Sequence, residues 1–149
     1  MNVKETMKEV VTSHNLIRIA TLDSDGAPCV RSVDYAMGDC ENILYCITQK
    51  NSRKVDQIRN NGKIAFLIDH DCHEWEDLQK LKYIKGTGTA TIVEDPEEMQ
   101  KAFGLLLQKF PFLANLPGEP SDMVGIRFEL KNVLVTNNSI EFGHTETLT

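Results

Sequence analysis

The chain has 149 residues, 41% hydrophobic and 26% charged, with a formal net charge of −6. That length suits one domain with a substantial core, so residues 1–149 are expected to form a single unit. The acidic balance argues against broad binding to nucleic acid or an anionic membrane, either of which needs a basic face. The opening MNVKETMKEVV holds no apolar signal core, and no run approaches a membrane span; a cytoplasmic location is expected.

Val3, Met7, Val10 and Val11 recur at helical spacing, predicting an amphipathic first helix that stops near His14 and Asn15. LIRIATL, the turn signal Asp23-Ser24-Asp25-Gly26 and CVRSVDYAM then predict a hairpin. In its second strand Cys29, Arg31, Val33, Tyr35 and Met37 share one face, with Ser32 and Asp34 on the other. Arg31 is thereby set on a mostly apolar face.

Residues 43–47 are almost continuously apolar, as in a strand covered on both sides. Ser52 is a suitable N-cap for a short helix with Val55 and Ile58 on its apolar stripe, ended by Asn60-Asn61-Gly62. KIAFLI predicts another buried strand, and DHDCHEWEDLQK a polar loop or an irregular helical turn. Over residues 83–93, Ile84, Gly86, Gly88, Ala90 and Ile92 alternate with Tyr83, Lys85, Thr87, Thr89 and Thr91, and small inner residues suit a tightly curved sheet.

Asp95-Pro96-Glu97-Glu98 opens a helix with a cap, a proline and first-turn acids. Met99, Ala102, Phe103, Leu106 and Phe110 form its apolar face. After a loop at 116–120, Val124, Ile126, Phe128 and Leu130 mark a long strand, and VLVT-NN-SIEF predicts a closing hairpin around Asn137-Asn138. Six or seven strands and three helices result, with strands following strands. The fold class is α+β, mainly β: an antiparallel barrel with helices at its ends.

Asp69-His70-Asp71-Cys72-His73-Glu74 holds every common metal-ligand type, but its ligands are crowded on one stretch, whereas zinc draws them from separated ones; a solvated acidic loop is expected and no metal. Cys29, Cys40, Cys46 and Cys72 show no C-x-x-C pairing and read as free thiols. There is no G-x-S-x-G for a nucleophile. The glycines of Lys85-Gly86-Thr87-Gly88-Thr89 lack phosphate-loop spacing and fall inside the strand pattern, where they relieve crowding. Ser52-Arg53-Lys54 stands apart: two cations at a helix start oppose the helix dipole unless an anion lies across them. The Ser52 hydroxyl, the free first-turn N–H groups, the Arg53 fork and the Lys54 point charge all suit a phosphate, and Arg31 could meet the same anion. The bland alternative is a solvated helix face.

In their order, Asp25-Gly26, CVRSV, ILYCIT, NSRKVDQI, NNGKIAFLI and Gly88-Thr89-Ala90 resemble the FMN-binding split barrels of the pyridoxamine 5'-phosphate oxidase-like superfamily, and among these the bacterial general stress protein type. The resemblance runs from about Leu16 through Val93. It implies a homodimer with FMN bound at the subunit interface. Carried over to this sequence, it implies that Arg31, Ser32 and Val33 lie along the flavin, that Ile47 and Thr48 border the ring and ribityl chain, and that Arg53 and Lys54 hold the phosphate with Ser52 beside them. Tyr83 falls where the oxidases have a glutamine reaching flavin from the partner subunit. The lysine that those oxidases carry after the strand arginine is missing near Ala36, and the ending EFGHTETLT lacks their arginine and histidine segment. A vitamin B6 phosphate is therefore not the expected substrate. An FMN-dependent oxidoreductase of unknown substrate, with NAD(P)H a possible donor, is the first expectation. A non-catalytic flavin-binding stress or sensor protein, or a relative binding haem or the deazaflavin cofactor F420, is the alternative.

Overall fold

A computed structural model describes residues 2–149. Helix α1 (Val3–Ser13) begins with a reciprocal cap: Glu5 N donates to Asn2 Oδ1 at 2.8 Å, and Asn2 N to Glu5 Oε2 at 3.2 Å. It buries Met7, Val10 and Val11, as its spacing predicts. The chain continues through β1 (Leu16–Leu22), β2 (Pro28–Asp34), β3 (Ala36–Met37), β4 (Ile43–Gln49), α2 (Arg53–Asn60), β5 (Lys63–Ile68), α3 (Trp75–Leu78), β6 (Lys82–Val93), α4 (Pro96–Lys109), two short 3-10 turns (Pro111–Asn115 and Pro120–Asp122), β7 (Met123–Asn137) and β8 (Thr145–Leu148).

All eight strands join one antiparallel sheet in the order β2-β1-β5-β6-β7-β4-β3, with β8 also paired to β7. Its two edges, β2 and β3, are consecutive in the chain and separated only by Tyr35. The sheet therefore curls on itself, and the chain itself bridges its edges at that residue. The expected antiparallel, mainly β barrel is the fold observed. Its interior is filled by Ile17, Ile19, Leu44, Ile84, Ile126 and Phe128, all buried.

The β1–β2 hairpin is built by its turn. Asp23 Oδ1 accepts from Asp25 N and Ala27 N, both at 2.9 Å, and Gly26 takes φ 81°, a left-handed conformation in which a glycine lacks the Cβ penalty. In β6 the glycines serve close approach: a Cβ on Gly86 would lie 1.8 Å from Asn132 O, and one on Gly88 2.0 Å from Glu129 O. The two strands can run this near only without side chains there.

Among the described residues, four α-helices and eight strands exceed the expected three and six or seven. The additions are the single turn α3 and the two-residue β3. The larger correction concerns the C-terminal strand. Instead of a strand followed by a hairpin at Asn137-Asn138, β7 runs unbroken for 15 residues. It bends at a bulge, where pairing steps from Thr87↔Asn132 to Gly88↔Leu130 and leaves Lys131 over. The turn is then wide, because Asn137 Oδ1 accepts from Ser139 N and Asn138 Oδ1 from Gly143 N, both at 2.9 Å. These side-chain bonds replace the two-residue reversal, so the return strand begins only at Thr145.

Side chains close the C-terminal end of α1. Tyr35 Oη donates to Val11 O at 2.6 Å, His14 Nδ1 to Val10 O at 2.8 Å, and Lys109 Nζ, from the end of α4, to His14 O at 2.6 Å. Lys109 Nζ also sits 4.0 Å from the Tyr35 ring centroid. No helix among the described residues is long and apolar enough to cross a membrane.

Candidate cofactor site

The site forms where β4 runs into α2, beside the inward face of β2. Ser52 takes an extended N-cap conformation, yet its side chain makes no capping bond. Its Oγ is buried and is the one such side-chain polar atom without a hydrogen-bond partner among the described residues. An unpaired buried hydroxyl is costly, about 1–3 kcal/mol. The backbone N–H groups of Arg53 and Lys54, which have no intrahelical partner, lie at the same helix end, while Val55 N already donates to Ser52 O at 3.2 Å.

Three cations gather around this end. Lys54 Nζ donates to Thr48 Oγ1 at 2.9 Å. Arg31 lies half-buried on the β2 face shared with Cys29 and Val33, as the strand alternation predicts. Its Nη1 donates to Thr21 Oγ1 at 2.7 Å and its Nη2 to Gln57 Oε1 at 3.0 Å. Burial and the repulsion of Arg31 hold the Lys54 ammonium below its ordinary range, while burial and the neighbouring Arg53 do the same to Arg31. Neither Arg31, Arg53 nor Lys54 has a carboxylate oxygen within 4.0 Å among the described residues. In a chain of net charge −6, that leaves a local positive pole whose members repel one another.

The expected residues do not all meet in one pocket. Ser32, Val33, Ile47, Thr48 and Lys54 line a cleft of about 290 Å³, walled by Leu16, Phe103, Leu106 and Phe112. Arg53 turns to a neighbouring recess of about 240 Å³ with Asp23, Ser24, Asp56, Gln57 and Asn60, so Arg53 and Lys54 flank the helix start from two sides. Tyr83, on β6, pairs with Thr136 of β7 and lines neither recess. Asp69 instead pairs with Arg18 at 3.1 Å, and His70 Nδ1 meets His14 Nε2 at 2.7 Å.

Two residues that sequence reasoning passed over carry the geometry of Arg31. Thr21 and Gln57 are both buried, and Thr21 Oγ1 donates to Gln57 Oε1 at 2.6 Å. Gln57 is an amide on the buried side of α2, and Thr21 a hydroxyl in the buried register of Ile17 and Ile19. Polar residues where the pattern demands apolar ones were the available signal. The sequence left open whether the segment around Phe110 to Leu116 covers the cleft, since it is irregular and shows no period; Phe112, Leu113 and Leu116 do line it.

Comparison with known proteins agrees with this architecture. General stress protein 26 of Bacillus subtilis is 25% identical over 128 residues, covering 82% of this chain and 86% of its own. The crystal structure of the General Stress Protein 26 from Bacillus anthracis superposes with a TM-score of 0.68 at 21% identity, covering 99% of this chain and 100% of its own. A haem binding protein from Mycobacterium smegmatis reaches a TM-score of 0.82 at 15% identity, and this chain spans all of its own length but 58% of that protein's. The profile of the family described as pyridoxamine 5'-phosphate oxidase matches residues 3–136, and the chain belongs to that family.

Proposed function

We propose that the protein binds FMN, with the phosphate at the N-terminus of α2 and the ring in the cleft between β2, β4 and α4. The observation that carries this reading is the unpaired cation cluster around the buried, partnerless Ser52 Oγ. A phosphate monoester would satisfy that hydroxyl and the backbone N–H groups of Arg53 and Lys54, and would relieve the repulsion among Arg31, Arg53 and Lys54. Ser32, Val33, Ile47 and Thr48 would border the ring and ribityl chain. Arg31, oriented from below by Thr21 and Gln57, would reach the cofactor's polar atoms. Bound FMN supplies the capacity for hydride and electron transfer. The chain's part is to hold, orient and desolvate it.

We assign the protein as a homodimer with the site at the subunit interface, Tyr83 approaching from the second copy, and as an oxidoreductase of unspecified substrate. The exposed apolar rim of Leu16 and Phe112, beside the cleft, supports an interface there. Haem, suggested by the name of the Mycobacterium smegmatis relative, finds less support: His14, His70, His73 and His144 line neither the cleft nor the neighbouring recess.

Titration with FMN and riboflavin tests the reading, since only FMN carries the phosphate. Arg53→Ala with Lys54→Ala should weaken FMN by tenfold or more and riboflavin much less. Equal losses would refute the phosphate assignment, and a purified protein with a Soret band in place of flavin bands would replace FMN with haem. Light scattering should give a dimer.

A further inference from the structure

Beyond the cofactor cleft lies a second, larger groove of about 530 Å³, between α4 and the segment from Leu113 to Met123. It is continuous with the cleft, and both are lined by Ile47, Phe103, Leu113, Leu116 and Met123. The two differ in chemistry. The cleft has Lys54 and polar groups at one end, whereas the groove adds Met99, Leu107, Ala114 and Pro117, and contains no Lys, Arg or His. Its one charged member is the Glu119 carboxylate.

We infer that this groove binds an uncharged, apolar small molecule, which lies against the ring-binding end of the cofactor cleft. Its volume falls within the roughly 300–1,000 Å³ of small-molecule pockets, and its lining of methionine, leucine and phenylalanine is typical of them. An anionic ligand is disfavoured twice, by the absence of any cation to receive it and by Glu119. A pyridine nucleotide or a phosphorylated vitamer fits neither condition. The role of this ligand as a redox co-substrate rests on the FMN reading; the binding itself does not.

The test is titration of the purified protein with N-phenyl-1-naphthylamine, an uncharged probe whose fluorescence rises in apolar surroundings. FMN binding is measured on the same samples. Leu107 lines the groove but not the cofactor cleft, and it is half-buried at a helix surface. Saturable binding at one probe per chain is expected. Leu107→Glu should weaken it tenfold or more and Leu107→Gln by less, with FMN affinity unchanged in both. Absence of saturable binding in the wild type would overturn the inference, as would equal affinity in Leu107→Glu. Displacement of the probe by NADPH would overturn the preference for an uncharged ligand. Conversion of a dimer to a monomer by Leu107→Glu would show the groove to be covered by a second copy, and would likewise sink the proposal. Probe binding without FMN binding leaves the groove standing and removes the cofactor reading instead.

Discussion

Replacing Tyr35 by phenylalanine removes one oxygen at the point where the barrel's edges meet. The hydroxyl is fully buried and donates to Val11 O at 2.6 Å, and burial keeps the phenol protonated by holding its pKa far above the ordinary value. Val11 lies in the last turn of α1, whose carbonyls lack helical partners, and it is itself wholly buried. Without the hydroxyl, that carbonyl loses its donor and water cannot easily replace it, at a cost of about 1–3 kcal/mol. The phenyl ring stays, so the packing and the contact with Lys109 Nζ at 4.0 Å are retained. At about 2–4 °C per kcal/mol for a chain near this size, Tm should fall by about 2–12 °C. Urea denaturation should show a lower midpoint with an unchanged slope, and amide exchange should accelerate first in the last turn of α1. A loss below about 0.5 kcal/mol would refute the claim that this bond fastens the helix to the barrel.

Gly88→Ala, whose Cβ would sit 2.0 Å from a backbone oxygen, should cost about 3 kcal/mol or more, whereas Gly104→Ala on α4, with nothing within 4 Å, should stabilise by about 0.5–1 kcal/mol; urea midpoints distinguish the two. Gln57→Glu keeps the shape of the Arg31 support but neutralises its charge, so FMN should bind about tenfold more weakly, roughly 1.4 kcal/mol, with riboflavin little changed, as calorimetry would show. Stability should also fall as pH drops through 6.5. Burial, aided by His70 and Lys109 and opposed by the Val10 carbonyl and Asp69, lowers the His14 pKa below that ordinary value. In this window the unfolded chain binds the proton that the folded state resists. Urea midpoints at pH 7.5 and 5.5 should show the fall, and His14→Gln should flatten it.

Local patterns made much of this legible. Alternation in β2 placed Arg31 inward, Asp95 and Pro96 marked the start of α4, and the small residues of β6 announced a close strand crossing that the 1.8 and 2.0 Å virtual contacts bear out. What escaped depends on partners distant in the chain. Nothing near Ser52 tells that its hydroxyl goes unbonded, and nothing near Arg31 tells that Gln57, 26 residues on, will hold it. The unbroken β7 escaped because a bulge lets a strand bend without ending, and polar residues at such a bend look like a turn.

That strand also governs when the fold can be completed. β7 pairs with β4 and β6 along its first half and with β6 and β8 along its second, so it is the common seam of the sheet. Until residues 123–137 leave the ribosome, β4 and β6 each present an open hydrogen-bonding edge to the cell. Pairing β4 with β7 also closes a loop of some eighty residues, a slow step for non-local sheets. The nascent protein thus passes through a period of exposed strand edges that ends only when β7 arrives, and chaperone demand should concentrate there.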